Sequence, residues 1–352
     1  MIPVIICGGF GTKMWPISRE RKAKHFLPLI NNKSLFQLNY EALSTKFKPE
    51  EIFISTNDGQ IRTAQKQVPQ IPIDNFIIEP EAKNTGPAIG FIAASLYKKG
   101  FQDEPFFLVQ VDDLREPIDK FIKMIEVASE MAKSRTEYIT GGMRPKSAIM
   151  GVDYLIKGEK VNSDDEVGIY KVKEFVWRKP EAETVELIKN ENVLIHTNHT
   201  CMTPKNYLEM YKKYRIDWYE PLMNIINGSD PIIEFAKMKK GPQEEVTELV
   251  HKAGESLIVE LPFKWNDFGT FKSLEDYLKE HDLYNPSDNV IDLDGKNNFV
   301  WLDDPNKPIV LIGVDNLVVV DTGDAVLICD KNSTGEVGEA LKVVKERKLS
   351  LV

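Results

Sequence analysis

From Met1 to about position 142 the chain alternates short apolar runs with longer stretches that are apolar on one face only. The runs read as strands at Pro3–Cys7, Glu51–Thr56, Asp74–Glu79, Pro105–Val111 and Glu137–Gly141. The stretches between them, Ser34–Lys46, Asn57–Val68, Thr85–Lys98 and Pro117–Lys133, read as helices. This rhythm predicts an α/β fold with a mostly parallel sheet and helices on both faces. Ligands of such sheets bind outside the carboxyl ends of the strands, near a topological switch point. From about 142 to 270 the pattern is mixed, with longer strands and interrupted helices. After Pro286 come short apolar runs, Asn289–Asp294, Asn298–Leu302, Ile309–Gly313, Leu317–Asp321 and Ala325–Cys329, separated by Asn, Asp, Gly and Pro. An amphipathic helix, Gly335–Arg347, closes this part. It reads as a small β-rich domain, which divides the chain into 1–285 and 286–352. No repeat at solenoid period and no low-complexity tract is expected.

Composition narrows the function classes. The 352 residues are 42% hydrophobic and 28% charged, enough for a packed core and against global disorder. The net charge of −9 argues against a general nucleic-acid binder, which needs a basic face. Cys7, Cys201 and Cys329 lie far apart without metal spacing and read as reduced thiols of a cytoplasmic protein. The first strand begins at once, with no signal peptide before it. No apolar run approaches the roughly 20 residues of a membrane span.

Against this acidic background one segment stands out. Gly8, Gly9 and Gly11 follow the first strand, and Lys13, Arg19, Arg21, Lys22 and Lys24 follow them, opposed only by Glu20. Glycines let the backbone approach a ligand closely. Successive N–H groups of such a turn form an anion-binding concavity. The cations would focus field on a small anionic substrate, and the pattern points to a polyphosphate site. A P-loop is set aside because Thr12-Lys13 follows Gly11 where Gly-Lys-Ser/Thr is needed. A dinucleotide fingerprint is set aside because Met14 takes its third glycine.

The segment resembles the signature of sugar-1-phosphate nucleotidyltransferases, most of all the mannose-1-phosphate guanylyltransferase branch, G-G-x-G-T-R-L-W-P-L-S-R followed by P-K-Q-F-L. Gly8, Gly9, Gly11, Thr12, Trp15, Pro16, Ser18, Arg19, Lys24, Phe26 and Leu27 match. Lys13, Ala23 and His25 replace its Arg, Pro and Gln. A second match is E-P-x-x-R-N-T-A-P-A-I, which in the family helps hold the nucleotide. Glu79, Pro80, Asn84, Thr85, Pro87, Ala88 and Ile89 agree with it, and Lys83 stands for Arg. Read without the family, this stretch is a strand–loop–helix join in which Asn84 or Thr85 caps the helix.

Asp112, at the end of a buried apolar run, is a good metal-ligand position, and the resemblance makes it the Mg²⁺-binding Asp. Asp113 then replaces a His and Gln110 a Pro. Two solvated strand-end aspartates are the plain alternative. Lys264–Phe271 resembles the second metal motif, W-x-D-x-G-T/S-W, through Trp265, Asp267, Gly269 and Thr270. Asp267 or Thr270 also suits a helix cap.

On the sugar side, Met150–Gly158 aligns loosely with T-G-Y-G-Y-I-x-x-G through Gly151, Tyr154, Ile156 and Gly158, with Val152 replacing a Tyr. Phe175–Pro180 resembles F-V-E-K-P, with Lys179 and Pro180 matching and Arg178 where a sugar-contacting Glu is expected. A carboxylate accepts hydrogen bonds from hydroxyls, whereas Arg only donates. Either the sugar differs, a neighbouring carboxylate such as Glu174 substitutes, or sugar binding is weakened. Asn198 matches the Asn of W-N-S-G-x-F. The spacing His196-x-x-His199-x-Cys201 hints at zinc, but no second ligand pair lies nearby, so these read as strand and loop residues.

The resemblance spans nearly the whole chain. It implies a Rossmann-like nucleotide-diphospho-sugar transferase fold with a short left-handed β-helix after it, often used in dimer contacts. It also implies transfer of a nucleotidyl group from GTP to mannose 1-phosphate, giving GDP-mannose and pyrophosphate. On that account the Gly8–Gly11 amides, Thr12 and Lys13 cradle the triphosphate, and Lys24 bridges the α-phosphate and the sugar phosphate. Asp112 and Asp267 hold Mg²⁺. Glu79, Asn84 and Thr85 lie beside the nucleotide, and Gly151, Tyr154, Lys179 and Asn198 face the sugar phosphate. The expected assembly is a homodimer. Two other readings stay open: the same chemistry on another sugar or base, prompted by Arg178 and Val152, and a catalytically weak homologue that binds nucleotide sugars. Lys13, Lys83, Ala23, Asp113 and Arg178 motivate the last.

Overall fold

The computed structural model describes residues 1–9, 11–149 and 151–347. Phe10 of the glycine loop, Met150 of the sugar-side motif and the side chain of Thr12 lie outside what is described. The chain divides into two compact units. One comprises Met1–Cys7, Tyr40–Gln110 and Arg115–Trp265; the other comprises Gly8–Asn39, Val111–Leu114 and residues 266–347. Each unit draws on separated stretches of the chain. The reason is one apolar core that gathers Met14, Ile17, Leu27, Leu29 and Leu35 with Leu114, Phe268, Leu274, Phe299 and Val318.

In chain order the strands up to Glu260 are β1 (Ile2–Ile6), β2 (Phe53–Asn57), β3 (Phe76–Glu79), β4 (Phe106–Gln110), β5 (Asp113–Glu116), β6 (Tyr138–Met143), β7 (Tyr154–Lys160), β8 (Ile169–Val176), β9 (Val193–His196), β10 (Cys201–Met202) and β11 (Ser256–Glu260). All but β5 form one sheet in the order β11-β8-β7-β9-β6-β10-β4-β1-β2-β3. The half β4-β1-β2-β3 is parallel, in register at Ile5↔Val109, Ile5↔Ile54 and Ile54↔Phe76. β1 and β4 are near-continuous apolar runs because both faces are covered, whereas β2 ends in Ser55-Thr56-Asn57 and β3 exposes Ile78. In the other half, β10 pairs antiparallel with β4 and β6, and the strands β6 to β9 and β8 to β11 pair antiparallel too. Only β6–β11 is parallel there. The parallel character expected from the βα rhythm therefore stops where that rhythm stops.

Helix Thr85–Lys98 runs as its periodicity predicts. Asn84, at φ +72°, accepts the Thr85 N–H at 2.8 Å and caps it. A Cβ at Gly90 would meet Leu222 at 2.7 Å and Tyr211 at 2.8 Å, so this glycine lets two helices approach the third closely.

Three histidines are buried in this unit. His196 Nε2 meets Thr140 Oγ1 at 2.9 Å, and His251 Nδ1 meets Ser256 Oγ at 2.8 Å. The Arg115 guanidinium donates to His199 Nε2 at 2.9 Å, so His199 donates through Nδ1 to Thr197 Oγ1. Cys201 is also buried, 3.7 Å from Ser129 Oγ. These contacts occupy the residues of the His-x-x-His-x-Cys spacing as strand and loop groups. Burial holds His196 down at about 4 and the other two well below the usual imidazole value.

β12 (Lys264–Asp267) leads into a helix of the second unit, Phe271–Glu280, which Thr270 caps through the Ser273 N–H at 3.2 Å. Then come β13 (Val290–Leu293), β14 (Phe299–Leu302), β15 (Ile309–Ile312), β16 (Leu317–Asp321) and β17 (Val326–Asp330). β13 pairs parallel with β15 and β14 with β16, Val290 against Ile309 and Phe299 against Val318. At the corners Asn297 donates to Asn316, 19 positions on, at 2.9 Å, both at φ +57°. This corrects the expectation of no repeat. Two coils stack with a 19-residue offset; apolar class repeats along them, while identity recurs at few positions, Asn297/Asn316 and Val300/Val319 among them. Helix Val337–Arg347 packs Val337 and Leu341 on Trp15. No helix among the described residues is long and apolar enough to cross a membrane.

The buried histidines give a stability prediction with a definite sign. Unfolded, each titrates near 6.5; folded, each stays neutral below that. Their contribution is complete above pH 6.5 and is lost as pH falls toward about 4, where His196 itself titrates. At pH 5 the His196 part amounts to about 2 kcal/mol. Urea unfolding at pH 7.5 and pH 5 should show that loss, and His196→Asn should reduce the difference.

Candidate active site

The phosphate-site candidates of the second unit meet around Lys24. The glycine loop turns with Gly9 at φ +78° and Gly11 at φ +67°, conformations that side chains resist. Gly11 also lies against the stem of Lys24: a Cβ there would stand 2.5 Å from Lys24 Cγ and 2.7 Å from Cδ. Lys24 opens a 3₁₀ turn, Lys24–Phe26, and is only 7% exposed. Its Nζ lies 2.8 Å from Asp112 Oδ2 and donates to the Phe268 carbonyl at 2.9 Å. The Phe268 N–H in turn donates to the Asp112 carbonyl at 3.1 Å. One lysine thus joins the glycine loop to both strand-end carboxylate segments.

Asn39 was not anticipated. It is buried on helix Leu35–Ser44, and its side-chain amide donates to the carbonyls of Val111 and Asp113, each at 3.1 Å. It holds the backbone on both sides of Asp112. The sequence offered one weak signal, a polar residue on an apolar helix face.

Burial pushes the Asp112 carboxyl up, but the charge and hydrogen bond of Lys24 outweigh it and hold the group below the usual carboxylate range. Asp267 goes the other way. Burial raises it and the Asp112 charge raises it further, against Lys24 and Lys13. Two carboxylates that disfavour each other's charge suit a cation between them. The donors are all oxygen, as a hard divalent ion requires, and Mg²⁺ habitually completes such a pair with phosphate and water. No cluster of three or more protein ligands occurs among the described residues.

Several expectations shift here. Asp113 is 4% exposed while Asp112 keeps 41% of its side chain open, so the two do not form a doubled strand-end charge. Of the basic cluster, Arg19 is bound to Asp324 by two hydrogen bonds, 2.6 and 2.5 Å, and Lys22 lies 3.7 Å from Asp303. Lys13 is exposed.

The nucleotide-loop candidates belong to the first unit. Burial raises Glu79 to about 7, opposed by the Lys83 N–H, which lies 3.4 Å from it. Thr85 Oγ1 accepts the Gln243 N–H at 2.8 Å. Lys83 donates to the carbonyls of Ala236 at 2.6 Å and Met238 at 2.8 Å, around the end of helix Pro231–Lys237. It holds this loop by a C-terminal helix interaction.

On the expected sugar side, Gly151 has φ +76° with open space beside it. Tyr154 makes local contacts. It is fully buried, and its hydroxyl donates to the Ile149 carbonyl at 2.8 Å and accepts the Ile149 N–H at 3.2 Å. It closes a turn. Lys179 is exposed in a pair with Glu183 at 3.2 Å. Arg178 Nε donates to Asp153 Oδ1 at 3.3 Å, so Asp153, not Glu174, is the carboxylate beside Arg178. Asn198, at φ +54°, donates to Glu244 at 3.3 Å, and its carbonyl accepts from Gln110 at 2.6 Å. Its Oδ1 is buried with no hydrogen-bond partner.

The family model for nucleotidyl transferase matches residues 2–282, and that for the MannoseP isomerase/GMP-like beta-helix domain matches 288–346. The chain belongs to the nucleotidyl transferase family. A mannose-1-phosphate guanylyltransferase of Salmonella muenchen is 29% identical over 98% of this chain and 73% of its own. The mannose-1-phosphate guanylyltransferase 2 of Escherichia coli O157:H7 is 28% identical over the same shares. A crystal structure described as mannose-1-phosphate geranyltransferase from Thermus thermophilus shares the fold, with a TM-score of 0.80, 22% identity and coverage of 98% of this chain and 99% of that one.

The two left-handed glycines should separate on substitution. Gly9→Ala meets no atom within 4 Å and incurs only backbone strain, about 1 kcal/mol. Gly11→Ala adds the clash with Lys24 and should cost about 1–3 kcal/mol more. Urea midpoints of the two variants measure the difference.

Proposed function

We propose that this chain transfers a guanylyl group from GTP to mannose 1-phosphate, giving GDP-mannose and pyrophosphate. The observation that carries the reading is Lys24, buried between Gly11, Asp112 and the Phe268 carbonyl. The names of the relatives agree with it.

The sugar phosphate attacks the α-phosphorus in line, and the α–β phosphoanhydride bond breaks to release pyrophosphate. With a second pKa near 6 the attacking phosphate is already largely dianionic at neutral pH, so no protein nucleophile is needed. The chain's work is positioning and charge neutralisation. The amides of Gly8, Gly9, Gly11 and Thr12, with Lys13, cradle the triphosphate. Lys24 leaves Asp112 for phosphate oxygens, one anion replacing another beside a buried ammonium. Asp112 and Asp267 are the residues that would hold Mg²⁺, which when bound neutralises phosphate charge as a Lewis acid. Glu79, Asn84 and Thr85 serve the nucleotide, and Gly151, Lys179 and Asn198 the sugar phosphate. On this reading residues 1–285 carry the chemistry and 286–352 serve assembly.

For assembly we infer a homodimer. Ile291 and Leu293 of β13 pair with Val310 and Ile312 of β15, and all four are exposed. The same apolar patch on a second copy is its natural complement across a twofold axis. The free thiols fit a cytoplasmic location. A second reading, the same chemistry on a different sugar, is favoured by the Arg178–Asp153 pair, which brings a donor and an acceptor where an acceptor was expected.

Purified protein with Mg²⁺, GTP and mannose 1-phosphate should release pyrophosphate. Asp112→Asn and Lys24→Ala should each lower the rate about 100-fold or more. Release with another sugar phosphate alone would transfer the assignment to the second reading. No release with any pair, while GTP or GDP-mannose still binds, would leave a regulatory homologue. In gel filtration Val310→Glu/Ile312→Glu should run as a monomer and the parent chain as a dimer.

A further inference from the structure

The segment 11–24 is a loop closed at its base and bolted at its tip. At the base Gly11 lies on the Lys24 stem. Between them the Met14 N–H donates to the Gly11 carbonyl, and the Ser18 N–H to the Met14 carbonyl, each at 3.0 Å. Arg19 and Lys22 exchange backbone hydrogen bonds at 3.0 and 2.9 Å, which turns the chain back toward Lys24.

The tip is Arg19. Its Nε donates to the Pro16 carbonyl at 3.1 Å, inside the loop. Its two terminal nitrogens donate to the two oxygens of Asp324 at 2.6 and 2.5 Å, and one also reaches Thr322 Oγ1 at 3.2 Å. Asp324 lies 305 positions away, in the turn between β16 and β17. That turn is rigid: Thr322 donates its N–H to the Ala325 carbonyl at 3.0 Å, Gly323 donates to Asp321 at 2.7 Å, and Asp321 pairs with Val326 across the strands.

Exposed ion pairs usually contribute little, but a bidentate guanidinium–carboxylate pair adds directional constraint. Four of the guanidinium's five N–H groups are engaged here, which leaves Arg19 a poor phosphate ligand. The hydrogen bond from Arg19 holds the Asp324 carboxyl down to about 2, so the pair persists throughout the neutral range.

We infer that Asp324 is a positioning residue for the glycine loop, gripping Arg19 so that Gly11 and Lys24 stay in place. The inference rests on the phosphate-cradle reading of that loop only for its kinetic consequence. Asp324 touches no reacting group.

The test compares the parent chain with Asp324→Asn, Asp324→Glu and Asp303→Asn. Amide hydrogen exchange over 11–24, urea midpoints, and separate KM values for GTP and mannose 1-phosphate are measured. Asp324→Asn should speed exchange in 11–24 about tenfold and raise KM for GTP about tenfold, with kcat and the urea midpoint little changed. Asp324→Glu, which keeps the carboxylate, should recover most of both. Asp303→Asn, which removes only the 3.7 Å contact to Lys22, should match the parent chain. Unchanged exchange over 11–24 in Asp324→Asn overturns the inference. So does a lowered urea midpoint with faster exchange across the whole second unit. If the parent chain proves inert with every substrate pair, faster exchange confined to 11–24 still establishes the tether, and only the nucleotide reading falls.

Discussion

An ammonium taken out of water must be paired, and here that requirement fixes the centre of the second unit. Lys24 is 7% exposed and would incur several kcal/mol of desolvation if left alone. Asp112 and the Phe268 carbonyl meet it at 2.8 and 2.9 Å. The stem must lie flat to reach them, so the residue against it can have no side chain, and that residue is Gly11. Asp112 in turn must be held in place, and Asn39 does so through the carbonyls on either side. Gly11, Asn39, Asp112 and Phe268 are distant in sequence, yet each is constrained by the same buried charge.

That arrangement also sets how the site can respond to an anion. With Lys24 on Asp112, the negative charge of Asp112 is quenched, while Asp267 next to it is pushed toward its neutral form. A phosphate that draws Lys24 away frees Asp112, and the two carboxylates then disfavour each other unless a cation joins them. On the proposed reading, triphosphate and metal therefore bind as mutual conditions. The free site stays closed by an internal ion pair and carries no naked pair of carboxylates.

Much of this was legible in the sequence, for reasons that are local. Helix Thr85–Lys98 was readable because its cap, Asn84, and its periodicity lie in one window. β1 and β4 were readable because two-sided burial leaves a near-continuous apolar run. The pairs that needed the third dimension were not. Nothing near Arg19 indicates that its partner is Asp324, and a basic residue in a basic cluster reads as part of that cluster. Tyr154 lies in a motif aligned with a sugar-facing strand, but both it and the oppositely facing Leu155 are fully buried, so strand alternation alone does not place it. The coil offset of 19 is not legible because corner geometry and apolar class repeat while few residues recur, Asn297 with Asn316 among them.

Four departures from the guanylyltransferase pattern bear on whether this chain has decayed, and each of the four is met by a local adjustment. Ala23 stands for a proline but holds φ −62° and ψ 139°, the backbone a proline would impose. Lys83 stands for an arginine and still delivers its charge to two helix-end carbonyls, a task that needs no planar fork. Asp113 stands for a histidine and is taken into the interior, apart from the half-open Asp112. Arg178 stands for a glutamate and faces a buried carboxylate on Asp153. A site released from its function accumulates changes without such partners, and it has no cause to keep an ammonium buried beside Asp112. Three of the four replacements preserve backbone, charge or packing. Of these four, only Arg178 alters what a ligand would meet, on the expected sugar side. The physical case therefore favours retained chemistry over lost chemistry, with Arg178 the point at which sugar choice would differ.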